Sequence, residues 1–304
     1  MQKNLAFLCG VLAIVNSYAC DVCGGVSANS TIGFAPTNDF HYFGIRSNYR
    51  RFYSYSESMI TGTMNSTDYF FQSDLMGKIQ LSNRWQLIGI IPYSYVSQIE
   101  NGIKTSKSGL GDVSLMSFYS PLIVKDSSGF IHQQLNVGLG LKCPTGNYAE
   151  SAHAMSNMYP GTGAFDITLG ANYFLQTRKN GIQLEGAQTF RLENKYGYQY
   201  GSISTLSGNY FRVIKASSSV FRPFVGFQAS YFGKDCIDRI IVTESVNHGL
   251  AVSGKIGLNY VKSNWFFSVS TQLPIYQNLG NGAVQQKESV QLSINYLISK
   301  KSKK

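Results

Sequence analysis

Two cysteines spaced three positions apart are the first candidates for chemistry. Cys20-x-x-Cys23 has the spacing of a redox pair, a metal half-site or a short disulfide loop. No His follows Cys23, which excludes the usual haem-attachment motif. A four-thiolate zinc site needs a second Cys-x-x-Cys, and the chain has none. The first reading is a disulfide that staples the N-terminal segment. The second is a lipidated Cys20 and the third a redox function. Cys143 and Cys236 fall in polar stretches, where a loop-to-loop disulfide is open. A hydrolytic reading needs a Ser activated by a nearby His. Barrel hydrolases often carry that Ser two residues after the His. None of His41, His132, His153 and His248 has one there. No nucleophile elbow, phosphate loop or His-Glu-x-x-His motif occurs either. No catalytic residue, cofactor or metal is expected.

A second set of candidates is charged. Arg46, Arg50, Asp74, Lys78, Lys142, Asp166, Glu185, Arg191, Arg222 and Lys255 each sit in a segment that alternates apolar and polar residues, on its polar face. Such residues either pair with one another to fill an interior or line a pore that orients a polar or anionic solute. Phe70, Phe118, Phe174 and Phe224 share the same inward face and give a partly hydrophobic molecule something to travel along.

These residues need strands to position them. In a strand, successive side chains point to opposite faces. Leu135, Val137, Leu139 and Leu141 fall on one face, against Gln134, Asn136 and Lys142 on the other. Val290, Leu292, Ile294, Tyr296 and Ile298 oppose Gln291, Ser293 and Asn295. Similar segments recur around residues 43–50, 165–173, 182–191, 221–231, 250–260 and 265–273.

Connector length separates a secreted sandwich from a membrane barrel. Short turns near residues 82–84, 126–129, 178–181, 217–219 and 262–264 alternate with longer polar loops. The loops are expected at about 54–67, 99–111, 143–164, 193–201, 233–247 and 277–287. Outer-membrane barrels have this rhythm. The expected fold is all-β, a transmembrane antiparallel up-and-down β-barrel of about twelve strands over residues 39–299. Closure pairs the segment near Phe40–Phe52 with that near Ser289–Ile298, because lipid offers no partner for a free strand edge. Tyr53, Tyr69, Trp85, Tyr93, Tyr119, Tyr173, Trp265 and Tyr276 are expected to form interfacial girdles.

Composition agrees. Charged residues make up 14% of the chain and aromatics 13%, with 30 Gly, which suits strands facing lipid on one side. The net charge of +10 raises nucleic acid as a partner, but no zinc-finger, RNP-like or helix-turn-helix pattern accompanies it. Lipopolysaccharide phosphates or anionic solutes are the alternative.

At the N-terminus, Lys3, the apolar run Leu5–Val15 and the small-x-small site Ser17-Tyr18-Ala19 form a cleavable signal over residues 1–19. Lipidation of Cys20 would favour Leu three residues before it, where Ser17 stands. Residues 20–38 form an N-terminal periplasmic or lumenal segment with two readings, one that folds into or across the periplasmic mouth, held by a Cys20–Cys23 bridge, and one that is a disordered periplasmic tail; the basic tail 300–304 is expected to be dispensable.

Four motifs add a resemblance. They are Cys20-Asp21-Val22-Cys23-Gly24-Gly25, Gly109-Leu110-Gly111-Asp112-Val113, Gly138 through Gly146 ending in Pro144-Thr145-Gly146, and Pro160-Gly161-Thr162-Gly163-Ala164-Phe165-Asp166. In this order and spacing the chain resembles the outer-membrane transporter-like barrels of the MetA-pathway phenol-degradation family. Cys143 stands where that family more usually has Leu, and Gly25 where it often has another Cys. The resemblance implies an outer-membrane protein that handles small aromatic compounds. The barrel itself is expected in the cell outer membrane, inserted by the barrel assembly machinery and surrounded by lipid and lipopolysaccharide. The expected function is passive passage of small molecules. The alternative is a structural or surface-interaction barrel with a filled lumen, and an enzyme is disfavoured.

Overall fold

Alternation along a strand is useful only if something covers each face, and here the two faces meet different surroundings. The computed structural model describes residues 40–58, 62–126, 131–150, 158–242 and 248–299. The signal segment, Cys20, Cys23, the proposed mouth segment, His153 and the basic tail lie outside these residues.

Seventeen strands follow one another among the described residues. They are β1 (Phe40–Ser58), β2 (Gly62–Gln80), β3 (Trp85–Glu100), β4 (Ile103–Leu110), β5 (Ser114–Lys125), β6 (His132–Lys142), β7 (Asp166–Gln176), β8 (Asn180–Arg191) and β9 (Tyr198–Gln199). Then come β10 (Ile203–Arg212), β11 (Ile214–Ala216), β12 (Ser219–Phe232), β13 (Cys236–Ile237), β14 (Ile240–Ile241), β15 (Gly249–Lys262), β16 (Trp265–Leu279) and β17 (Val284–Ser299). Twelve of them close a ring in the order β1-β2-β3-β5-β6-β7-β8-β10-β12-β15-β16-β17, every neighbour antiparallel. The seam runs from Phe40 opposite Ser299 to Ser54 opposite Val284. On its outer side Arg51 and Glu288 form an ion pair at 2.8 Å. The barrel is therefore closed, with twelve strands, and the end holding Phe40 and Ser299 is called the terminal end below.

The expected short turns all lie at the terminal end, and the long connections at the other, the loop end. Three expected loops are instead strand. β1 and β2 continue past residues 54–67 and leave residues 59–61 between them, β3 turns back into β4, and β16 meets β17 across Gly280–Gly282. The reason is physical. Beyond an apolar band both strand faces meet water, so the hydrophobic alternation stops while the hydrogen-bonded ladder continues. β4 and β5 are one wall strand broken by an extra residue: Leu110 faces Tyr93 and Ser114 faces Ile90, with Gly111 N–H donating to the Pro92 carbonyl at 2.8 Å.

The outside of the ring is apolar. Ile45, Leu75, Leu139, Ile256, Leu292 and Ile294 are each about half exposed. Near the terminal end an outward chain of rings links five adjacent strands. It runs from Phe221 to Tyr260 (4.7 Å), Phe267 (6.0 Å), Trp265 (6.2 Å), Tyr296 (5.1 Å) and Phe43 (5.8 Å). The inside is packed with large aromatics laid flat. A Cβ on Gly138 would fall within the Phe118 ring, and Phe211 and Phe224 lie in the same way against Gly181 and Gly257. The missing side chain on one strand gives the ring of its neighbour a place along the wall. Gly138→Val removes that place. It should lower unfolding stability by about 1–3 kcal/mol through overpacking, read as a lower melting temperature in detergent; an unchanged melting temperature would mean that Phe118 has room to move.

Candidate functional site: the barrel interior

Inward positions repeat every second residue, so each strand delivers a column of side chains to the lumen. Nine of the ten charged candidates are buried inside the ring, and Arg222 is half-buried. They do not form one ring but three tiers. At the terminal end stand Lys78, over the Tyr42 ring at 5.5 Å, and Arg222. In the middle, Arg46 donates from Nε and Nη2 to Asp74 Oδ2 at 2.9 and 2.7 Å, and Gln72 donates to the other oxygen of Asp74. Glu185 accepts from Asn172 at 3.1 Å and from Gln183, and the charges of Lys255 and Arg46 act on it from other strands. At the loop end stand Arg50, over Phe70 at 6.0 Å, with Lys142, Asp166 and Arg191.

Apolar layers separate these tiers. Tyr42, Met76, Ile88, Met116, Phe118 and Phe266 cluster toward the terminal end, with Phe174, Phe211, Val213 and Phe224 beside them. At the loop end Phe52, Phe70 and Val96 from one side of the ring meet Ile203, Phe232 and Ala251 from the other. Met158, carried by the β6–β7 connection and only 1% exposed, sits in that cluster. The mouth is thus narrowed by a connecting segment folded inward. Between the apolar layers lies a cavity of about 50 Å³, faced by Arg46, Glu185 and Lys255 among others.

The inward connection is held at its base by a buried carboxylate. Asp112 Oδ1 accepts the Gly146 N–H at 3.0 Å, and Oδ2 accepts the Thr162 N–H at 2.8 Å and its hydroxyl at 2.9 Å. Lys142 Nζ lies 3.0 Å from Asp112 and 2.9 Å from Asp166, and Arg191 Nε lies 3.8 Å from Asp166. A Cβ on Gly146 would come 2.5 Å from the Gly111 backbone, so the segments can meet only where one is glycine. Three of the four quoted motifs therefore converge on one side chain. Their spacing signals a knot at the base of a loop, and Asp112 itself carries no periodic signal that would single it out.

A second buried acid, Asp235, accepts from the Tyr198 hydroxyl and from the Gly201 N–H, both at 2.6 Å. It ties the neighbouring connections into the small sheet β9-β13-β14. Lys195 Nζ, on the β8–β9 connection, lies 5.4 and 4.9 Å from the Tyr148 and Tyr196 rings. Hydrogen bonds with Tyr148 and then Tyr196 keep its ammonium charged above the ordinary lysine range.

The cysteine expectation for this end is corrected. Cys143 and Cys236 are both free thiols. Cys143 is held beside β5 by its N–H bond to the Val113 carbonyl, whereas Cys236 belongs to the separate small sheet. Of the histidines, His41 Nδ1 accepts the Gln80 N–H at 3.1 Å and His132 packs edge-on against Phe174 at 5.7 Å. His248 lies beside the start of β15. Among the described residues no group of His, Cys, Asp and Glu is arranged to hold a metal ion.

Comparison with known proteins shows the fold. The chain is similar in structure to the COG4313 outer membrane channel from Pseudomonas putida F1, with a TM-score of 0.63 and 14% identity, over 86% of this chain and 96% of that one. It also aligns with the beta domain of the Bordetella autotransporter Brka, over 86% and 100% of the two chains at 11% identity, but with a TM-score of 0.47 that likeness carries no argument. No family model matches the chain. A search of curated proteins finds no match. What the comparison establishes is an outer-membrane type of β-barrel fold.

Proposed function

We propose that the chain is an outer-membrane channel through which small molecules pass without energy coupling. One observation carries the reading: the ring is inside out, with half-exposed Ile, Leu and Val around its outer face and ionic groups such as Arg46, Asp74 and Glu185 buried within. That arrangement suits a wall set in lipid around a polar path. The ten charged residues then act as wall groups, in three tiers. The apolar layers of Phe118, Phe174, Phe211 and Phe224 favour solutes with an apolar face, including aromatic ones. The motifs gathered around Asp112 support the resemblance to the phenol-degradation type. In this reading the terminal end faces the periplasm, after export under the N-terminal signal and insertion by the assembly machinery. Lipid and lipopolysaccharide then surround the wall. Catalysis is disfavoured because His41 and His132 are engaged in the wall.

A second reading, a structural barrel with a filled lumen, draws on the small size of the central cavity and on the Met158 cluster that crosses the loop-end mouth. Planar-bilayer recording separates the two. The channel reading expects discrete unitary openings from purified protein. A membrane that contains folded barrel and stays electrically silent favours the filled one.

A further inference from the structure

The basic excess of the chain is not spread evenly over the barrel. Around the terminal end stand Arg84 on the β2–β3 turn, Lys125 at the end of β5, Arg178 and Lys179 on the β7–β8 turn, Arg212 and Lys215 beside the β10–β12 turn, and Lys262 at the end of β15. All seven are exposed, and the acid that accompanies them among the described residues is Asp126. Toward the loop end, bases are met by acids. Lys142 lies between Asp112 and Asp166, Arg51 pairs with Glu288, and Arg239 Nε lies 3.8 Å from Glu193.

Three of the seven stand on the outer face of the wall, beside outward aromatic rings. Arg84 Nη1 donates to the Tyr119 hydroxyl at 3.3 Å, and the Tyr119 ring lies 5.0 Å from that of Trp85. Arg212 follows Tyr210 by two residues on the same face of β10. Lys262 lies opposite Trp265, on the outward chain of rings. Trp and Tyr on the outside of a membrane wall sit at headgroup depth, so a cation beside them is at the level of lipid phosphates. A soluble acidic partner would instead be met by cations aimed away from the wall, along the barrel axis.

We propose that the terminal rim is a binding surface for anionic glycerophospholipids, with Arg84, Arg212 and Lys262 holding their phosphodiester groups. A guanidinium offers a phosphate two parallel hydrogen bonds and an ammonium offers a point charge. The acyl chains then lie along the outward rings. This inference rests on the wall being set in lipid and not on whether the lumen conducts. In the reading above, the leaflet concerned is the periplasmic one.

Electron paramagnetic resonance of trace spin-labelled lipid tests it. The probes are phosphatidylglycerol and phosphatidylcholine labelled on the acyl chain, in phosphatidylcholine vesicles that hold the purified protein. At low salt the motionally restricted population around wild type should favour phosphatidylglycerol by about twofold or more. In about 1 M NaCl, where screening shortens the reach of a charge to about 3 Å, the ratio should fall toward one. In Arg84→Gln with Arg212→Gln and Lys262→Gln it should be about one even at low salt. Arg239→Gln, at the loop end, should keep the wild-type ratio. Gel mobility before and after heating reports whether each variant folds. Should the triple variant not fold, Arg212→Gln alone is expected to remove part of the preference. Equal retention of both probes by wild type would overturn the surface and leave the rim charge to a soluble acidic partner. An unchanged ratio at high salt or in a folded variant of the rim would also overturn it, as would loss of the preference in Arg239→Gln. Folded wild type with no restricted lipid of either kind would overturn the lipid setting of the wall and this surface together.

Discussion

Asp112→Asn is expected to release the β6–β7 connection and open the loop-end mouth. The carboxylate takes hydrogen bonds from Gly146 and Thr162 and faces Lys142 at 3.0 Å, all within a buried knot. Removing one partner of a buried ion pair destabilises by about 3–5 kcal/mol. Lys142 keeps Asp166 at 2.9 Å, so the loss should lie near the lower end, about 3 kcal/mol. The wall strands retain their ladders, so the loss is local: the stretches 143–150 and 158–164 loosen, and Met158 leaves the cluster that narrows the mouth. The measurements are protease cleavage within those stretches and unitary conductance. Both should rise. A variant cleaved faster but conducting as before would show that Met158 is not the constriction. One resistant to protease would show that the knot does not hold the segment.

Leu292→Arg should abolish a stable inserted barrel. Leu292 faces outward at 52% exposure, opposite Ser47 of β1 and Val269 of β16, between the Tyr296 level and the Glu288 level. That is near the middle of the apolar band, where an outward Arg costs about 2–4 kcal/mol. Leu292→Ala keeps the face apolar and should insert. The readout is the heat-dependent gel band in membranes from cells making each variant. A normal folded band for Leu292→Arg would mean that this face does not meet lipid.

How much of this was legible in residues alone depends on what each face touches. The Gln134–Lys142 and Val290–Ile298 alternations stand in the wall as expected, with the apolar set outward. Lipid against one face and lumen against the other leaves a period of two that any reader can count. The same logic located the charged candidates, since an ionic group in such a segment has only the inside to occupy. Legibility failed where both faces are wet. The strand ends beyond Ser54, Ile99 and Gln277 look like loops because Ser, Thr, Asn and Lys on both sides carry no period. It failed again where the partner is remote in sequence. Nothing near Asp112 announces Thr162, and Met158 looks like any loop methionine until the ring places Phe70 and Ile203 on either side of it. The tiering of the charges was hidden for a related reason: height along the axis depends on register between strands, which one strand does not encode.

The seam has a bearing on the order of events when the chain folds. Phe40 lies opposite Ser299, so the pairing that completes the wall joins the ends of the described chain, while every other neighbouring pair of wall strands is close in sequence. Contacts of such long separation form late, after hairpins of neighbouring strands. Until then β1 and β17 present open edges, the state in which a sheet can recruit a foreign strand. The Arg51–Glu288 ion pair spans this seam and can form only once the edges meet. An interaction absent from the transition state leaves the folding rate alone and acts on unfolding. Its contribution belongs to how long the finished wall survives, and the speed of closure must come from the strands themselves.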